Sequence, residues 1–223
     1  MLKIRLRFEK TGQARYISHL DLMRTLQRAF ARAGLPMAYS EGFNPHPYLS
    51  VARPLPVGVS SVCELLDMGL AQPEDLKTLP GRVSDVLPYG LRVLEAWEAV
   101  RKFQEIAWAE YKIVLNGDES FSLDMGETLS ALFDGRPLPV TKKSKKGMVE
   151  IDAAPLVRSF AVAPTDDTKC VELRAVLAAG EVSLGPGHLL EAMLAAAGPD
   201  FTPWARAEMT RLSLTDAKAV AFC

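Results

Sequence analysis

The chain has 223 residues, of which 48% are hydrophobic and 24% are charged. This balance excludes a disordered or fibrous protein, and the length fits one compact domain or two of about 100 residues each. The net charge is only −1, but residues 1–53 carry +6, so the remainder carries −7. A basic segment of this kind is typical of an anion-binding face, and nucleic acid is the obvious large anion. Its basic residues are Lys3, Arg5, Arg7, Lys10, Arg15, Arg24, Arg28, Arg32 and Arg53.

The first ten residues, MLKIRLRFEK, alternate charged and apolar side chains. We therefore expect neither a secretory signal nor a membrane span there, and we expect a cytoplasmic protein. The three cysteines are odd in number, far apart and without a CxxC pair, which argues against a disulfide framework or a thiolate zinc site. The sequence thus predicts neither a metal nor another cofactor.

In the first half, periodicity predicts a strand at residues 3–8 and a helix from Ser18 to Gly34. Ser18 is a good N-cap, Asp21 occupies the capping-box position, and Gly34 ends the helix. Further strands are expected at 48–52, 62–70 and 91–99, with a helix at 74–86 between the last two. This order is β-α-β-β-α-β, the ferredoxin-like arrangement.

The second half repeats this order loosely. Strands are expected at 106–115, 148–151, 171–178 and 206–214, with helices near 126–133 and at 187–197. The sequence therefore predicts an α+β fold of two tandem ferredoxin-like halves, residues 1–100 and 101–223. A single α+β domain with one continuous sheet is the alternative.

The helix from Ser18 to Gly34 has an apolar stripe and a basic edge. Arg24, Arg28 and Arg32 recur every four residues and therefore lie along one edge. The row is either a solvated face balanced by carboxylates elsewhere or a row that contacts successive phosphates. Arg15, shortly before the helix, is a further candidate for binding nucleic acid.

The segment YSEGFNPHP, residues 39–47, combines turn formers with groups that recognise or protonate a ligand. Its glycine permits unusual backbone angles, and its two prolines restrict the path of the chain. The candidates to contact unpaired bases are Tyr39, Phe43, Asn44 and His46. Alternatively, Phe43 packs in the core and His46 is an ordinary turn residue.

His19 and His46 both fall in the basic segment. Two imidazoles are able to act as acid and base in RNA cleavage, or to bind a metal, but neither has a third partner at ligand spacing. They are therefore weak catalytic candidates, and the catalytic residues stay unknown.

The segment TKKSKKG, residues 141–147, holds four lysines around a serine. It is either a mobile solvated loop or a finger that contacts phosphates. The candidate nucleic-acid contacts are Lys142, Lys143, Lys145 and Lys146.

The block RYISHLDLMRTLQRAFARAGLPMAYSEGFNPHPYLSVARPLPVGV, Arg15 to Val59, resembles a bacterial family of unknown function called radical-SAM-linked or radical-SAM-associated. The resemblance implies a partner, because members occur fused behind or encoded beside a radical S-adenosylmethionine protein with a cobalamin-type domain. It also fits the missing CxxxCxxC motif, because the iron–sulfur cluster would belong to that partner.

Three functions follow as hypotheses. The chain is a non-catalytic accessory module of a radical SAM enzyme that binds tRNA or rRNA through its basic face, or a docking partner of that enzyme without RNA binding. The third is a metal-independent RNA-processing enzyme that uses His19 and His46. No membrane partner is expected, and the oligomeric state is open.

Overall fold

A computed structural model describes residues 1–116, 131, 137–144, 147–165, 169–197 and 206–222. The chain divides into two compact units, Met1–Glu105 and Ile106–Phe222. Both are mixed α+β, with more strands than helices. Within the described ranges, no helix has the length and apolar character needed to cross a membrane.

The first unit is an antiparallel sheet with two helices. The strand order is β4-β1-β3-β2, and every neighbouring pair is antiparallel. The order along the chain is the β-α-β-β-α-β succession that the sequence predicted. The elements are β1 (Leu2–Lys10), α1 (His19–Arg32), β2 (Leu49–Val51), β3 (Val59–Leu70), α2 (Leu79–Ser84) and β4 (Leu91–Glu98).

The core of this unit lies between the helices and one face of the sheet. Alternate residues of β1, Ile4, Leu6 and Phe8, are almost fully buried and pack with Leu26 and Phe30 of α1. Successive strand residues point to opposite faces, so the residues between them lie on the other side of the sheet. The helix therefore covers one face and presents its polar edge outward.

The predicted start and end of α1 are confirmed. The Ser18 hydroxyl accepts a hydrogen bond from the Asp21 backbone N–H at 3.2 Å and donates one to the Asp21 carboxylate at 2.7 Å. At the other end, Gly34 has a φ of +66°, in the left-handed region where glycine is favoured. Both ends are thus set by local chemistry, which gives α1 defined limits.

The second helix is shorter than predicted, spanning Leu79–Ser84 and not residues 74–86. The cause is a turn built by Asp75, which accepts from the Lys77 N–H and from the Thr78 hydroxyl. Pro80 then occupies the first turn of the helix, where its missing N–H costs no helical bond. The segment before Leu79 is therefore a turn.

The second unit has a four-stranded antiparallel sheet in the order β10-β5-β9-β8, with a separate β6-β7 hairpin. The elements are β5 (Ile106–Asn116), β6 (Pro139–Ser144), β7 (Gly147–Asp152), β8 (Val157–Pro164), β9 (Cys170–Ala178), α3 (Pro186–Ala197) and β10 (Arg206–Asp216). The predicted helix near residues 126–133 falls almost wholly outside the described residues.

Two features of this unit differ from the sequence analysis. Strand β8 was not predicted at all. The interpretation of TKKSKKG as a loop is wrong for residues 141–144, which belong to β6 and pair with β7. The lysines of that segment that the structure describes therefore lie on a β-ribbon.

Candidate nucleic-acid interface

The arginine row on α1 is exposed. Arg24 has a 60% exposed side chain and lies 3.5 Å from Asp21, while Arg32 donates to the Val86 carbonyl oxygen at 2.7 Å. Arg28 is exposed and, among the residues that the structure describes, has no ion-pair or hydrogen-bond partner. An ion pair at the surface contributes only about 0–1 kcal/mol, so Arg24 remains available to an anionic ligand.

Three other residues of the basic segment add little to an open positive face. Arg5 is buried and makes a bidentate contact with Asp67 across β1 and β3, at 2.6 and 2.8 Å. Arg7 contacts Glu95 across β1 and β4 at 2.8 Å, and Lys10 is 2% exposed. The net charge of +6 therefore overstates the open basic surface of residues 1–53.

Arg15 lies at the end of the short 3-10 helix Gly12–Tyr16 that precedes α1. Its guanidinium carbon is 4.9 Å from the centre of the Tyr16 ring, and it donates to the Tyr16 hydroxyl at 2.8 Å. The Tyr16 side chain is exposed. The pair places a cation and an aromatic ring together, a combination that stacks on nucleobases in many RNA-binding proteins.

The YSEGFNPHP segment forms a closed loop on a paired stem. Tyr39 pairs with Pro47 across the stem, and the Ser40 N–H donates to the His46 carbonyl oxygen at 2.9 Å. The Ser40 hydroxyl accepts from the His46 N–H at 3.1 Å and lies 3.1 Å from His46 Nδ1. Two residues thus close the loop with three hydrogen bonds.

The tip of this loop projects into solvent. Phe43 is as exposed as an isolated side chain, with a relative accessibility of 112%, and Tyr39 is 56% exposed. Asn44 is exposed as well. The alternative that Phe43 packs in the core is therefore wrong. A fully exposed phenylalanine buries no apolar surface on folding, so its ring does not stabilise the fold and is available to a partner.

A cavity of about 250 Å³ lies between α1 and the stem of the loop. This cavity was not expected from the sequence. The sequence does hold a sign of it: in an extended chain every second side chain points to the same side. Residues 35, 37 and 39 on one side of the stem and residues 47 and 49 on the other therefore point toward the helix. The lining residues are Gln27, Phe30, Ala31, Leu35, Met37, Tyr39, Pro47 and Leu49. The cavity shows that α1 and the YSEGFNPHP loop are neighbours.

The two candidate histidines are not brought together by any described contact. His46 Nδ1 is bonded within its own loop, to Ser40 and to the Asn44 carbonyl oxygen at 3.3 Å. His19 is the first residue of α1 and is exposed. No hydrogen bond among the described residues joins them, and those residues contain no group of three His, Cys, Asp or Glu side chains placed to hold a metal.

The lysine-rich segment belongs to the second unit. The Lys142 ammonium donates to the Ser183 carbonyl oxygen, which ties β6 to the loop before α3. Lys143 lies in β6, while Lys145 and Lys146 are outside the described residues. Their role as nucleic-acid contacts stays a prediction.

A family model described as "Uncharacterized protein conserved in bacteria (DUF2344)" matches residues 3–186. The chain belongs to this family. The match covers the first unit except its first two residues and ends at Pro186, the first residue of α3 in the second unit. No curated protein matches this DUF2344 chain in sequence.

Two solved complexes contain chains with a similar fold. A chain in the crystal structure of a Cbf5-Nop10-Gar1 complex is 12% identical over 93% of the DUF2344 chain, with a TM-score of 0.51. A chain in an H/ACA RNP bound to a substrate RNA containing 2'-deoxyuridine is 12% identical over 96%, with a TM-score of 0.48. The DUF2344 chain spans 47% of each of those chains, about half their length. At this identity the first likeness shows the fold alone.

Proposed function

We propose that this chain is a non-catalytic accessory module of a radical SAM enzyme and that it binds RNA through its first unit. The proposed RNA surface consists of Arg24, Arg28, Arg15 and the YSEGFNPHP loop. The radical SAM partner is supported by the resemblance of residues 15–59 to the radical-SAM-linked family. In this arrangement the partner performs the reaction, and the module presents a tRNA or rRNA to it.

One observation carries the RNA part of the proposal. An exposed aromatic loop stands next to a helix whose outer edge carries exposed arginines, and a cavity joins the two elements. Arginines contact phosphates, and exposed aromatic rings stack on unpaired bases. Together they match the phosphate backbone and the bases of a single-stranded nucleic acid. The likeness to a chain of the Cbf5-Nop10-Gar1 complex adds a shared fold but no residue roles.

The second candidate is a docking partner of the radical SAM enzyme without RNA binding. It is favoured by the exposed apolar side chains near α1, since aromatic anchors also dominate protein interfaces. These are Tyr16, Leu20, Tyr39 and Phe43. The arginine row argues against a purely apolar interface, because a protein partner must then offer carboxylates along the same edge.

A pull-down from native extract, with both the bound RNA and the bound proteins sequenced, tests the proposal. We expect the radical SAM enzyme and one class of structured RNA to be recovered together. Recovery of the enzyme without enriched RNA would support docking alone. Shortening of a labelled RNA by the purified protein, lost in His19→Ala or His46→Ala, would support the RNA-processing alternative and contradict an accessory role.

We also propose that each unit is ferredoxin-like and folds by itself. Both units share the strand order 4-1-3-2 when their sheet strands are numbered within each unit, which is the order of a β-α-β-β-α-β sheet. Residues 1–105 expressed alone should therefore unfold cooperatively in urea. Failure of this fragment to show a cooperative transition would contradict independent domains.

A further inference from the structure

The cavity under the YSEGFNPHP loop is open to solvent at the outer edge of α1. Gln27 and Ala31 are exposed helix residues one turn apart, whereas Phe30 forms an inner wall and is fully buried. Tyr39 and Pro47 form the opposite wall, and the stem hydrogen bonds fix their positions. The cavity is therefore formed in the free protein.

The lining of the cavity favours a flat, uncharged ring. Seven of the eight lining residues have an apolar or aromatic side chain, and the half-exposed Tyr39 ring offers an aromatic surface. Gln27 is the one lining side chain with an amide, which both donates and accepts hydrogen bonds. At about 250 Å³ the cavity falls below the roughly 300–1,000 Å³ of sites for drug-sized ligands, so it fits a single ring system.

The arginine row runs beside the mouth of this cavity. Arg24 lies three positions before Gln27 on α1, and Arg28 lies four positions after Arg24, so both occupy the helix edge next to the lining residues. A ring bound in the cavity thus has two exposed guanidinium groups on the neighbouring edge of α1. The aromatic wall matches the flat surface of a base, the amide matches the edge of the base, and the adjacent cations match the phosphate of the same nucleotide.

We infer that this cavity binds one unpaired nucleobase of the RNA, with Tyr39 stacking on it, Gln27 reading its edge, and Arg24 and Arg28 holding the adjacent phosphates. The inference rests on the proposed RNA-binding function and deepens it. It assigns a discrete base pocket to a surface that would otherwise contact RNA without a preferred nucleotide.

Abasic substitution tests the pocket directly. The probe is a set of single-stranded RNAs of about 12 nucleotides in which each position in turn lacks its base. We expect wild-type protein to bind one of them about 5- to 150-fold more weakly than the intact RNA, the range for loss of one stacked base. Ala31→Trp fills the pocket from its exposed edge and should bind intact and abasic RNA equally. Ala71→Trp, at an exposed alanine outside the lining, is the matched control and should behave as wild type.

Gln27→Ala keeps the pocket open and removes the amide together with the methylene that carries it. It should weaken binding of intact RNA by roughly two- to tenfold, the contribution of an ordinary hydrogen bond, and leave binding of the abasic RNA unchanged. This second variant keeps the test informative if Ala31→Trp does not fold.

Three outcomes would overturn the inference. If wild-type protein binds all abasic RNAs as tightly as intact RNA, with salt-sensitive affinity, the base pocket is wrong while RNA binding stands. If no RNA binds even at low salt, the proposed function fails and the pocket with it. If Ala31→Trp prevents recovery of the radical SAM enzyme but leaves RNA affinity unchanged, the cavity takes a protein side chain.

Discussion

At the scale of single residues, the tip of the YSEGFNPHP loop shows how sequence sets exposure. Gly42 has a φ of +123°, a backbone conformation that side chains rarely adopt, and a Cβ there would meet open space. The requirement for glycine is thus conformational and not steric. The turn at Gly42 directs the next residue, Phe43, into solvent, while Ser40 and His46 close the loop behind it.

The first prediction is that Phe43→Ala separates function from stability. The ring is fully exposed, so its loss should leave the free energy of unfolding unchanged in urea denaturation. If Phe43 stacks on a base, RNA affinity should fall about 5- to 150-fold, as measured by fluorescence anisotropy.

Tyr89→Ala provides the control for this change. Tyr89 is 88% exposed in the turn before β4 and lies outside the loop, so its loss should alter neither stability nor RNA affinity. Equal affinity of Phe43→Ala and wild type would remove Phe43 from the proposed surface. A loss of several kcal/mol in stability would instead mean that the ring packs in the folded protein.

The pairing of individual arginines is not predicted by the charge of the sequence. The sequence counts Arg5 and Arg7 as part of a basic segment, yet both are paired with carboxylates. Their partners, Asp67 and Glu95, are 62 and 88 residues away in the chain, and only the β1-β3 and β1-β4 registers bring them opposite. Local patterns predict a helix edge such as the arginine row well, but they do not contain strand register.

At the scale of elements, α1 is the platform of the proposed site. Its inner face is held by Leu22, Leu26 and Phe30, which are buried against the sheet, and its first turn is capped by Ser18. The outer edge carries the arginines and the cavity-lining residues Gln27 and Ala31. A helix fixed at both its packing face and its start can hold these groups in a constant arrangement.

The second prediction concerns this cap. Ser18→Ala removes the acceptor of the Asp21 N–H and should lower the free energy of unfolding by about 1 kcal/mol, within the 0.5–2 kcal/mol known for N-caps. Because Arg24, Arg28 and the loop are unchanged, RNA affinity should fall less than twofold. Urea denaturation and anisotropy measure the two quantities.

Ser50→Ala, at an exposed serine of β2, is the matched control for the loss of a hydroxyl. It should change stability by less than 0.5 kcal/mol, as surface substitutions usually do. If Ser18→Ala and Ser50→Ala are equally stable, the hydrogen bond at the start of α1 does not stabilise the helix.

The elements differ in how well the sequence predicts them. Helix α1 was predicted because its cap, apolar stripe and terminal glycine are all local signals. Helix α2 was predicted too long, since the Asp75 turn and Pro80 compete with helix formation before Leu79. Strand β6 was not predicted because its lysines favour a loop. A two-stranded ribbon nevertheless accommodates charged residues, because it exposes side chains to solvent.

At the scale of the whole molecule, charge and apolar exposure identify the first unit as the candidate interface. The net charge of −1 averages over a chain whose α1 carries exposed arginines, and the stem of the loop that bears Phe43 lies beside the same helix. The second unit has a lysine-bearing ribbon. Its Lys142 ammonium donates a hydrogen bond to the Ser183 carbonyl oxygen. We therefore propose that the first unit recognises RNA, and we expect the charge on α1 to govern the affinity.

The salt dependence of RNA binding by Arg24→Gln/Arg28→Gln tests this claim most directly. Each phosphate contact on a single strand adds about 0.7 to the slope of log affinity against log salt, so loss of two contacts should reduce the slope by about 1.4. The melting temperature should hardly change, since both side chains are exposed. Arg92→Gln, at an exposed arginine of β4, should bind as wild type. A wild-type protein without RNA affinity at low salt, or a double variant with an unchanged slope, would contradict RNA binding through α1.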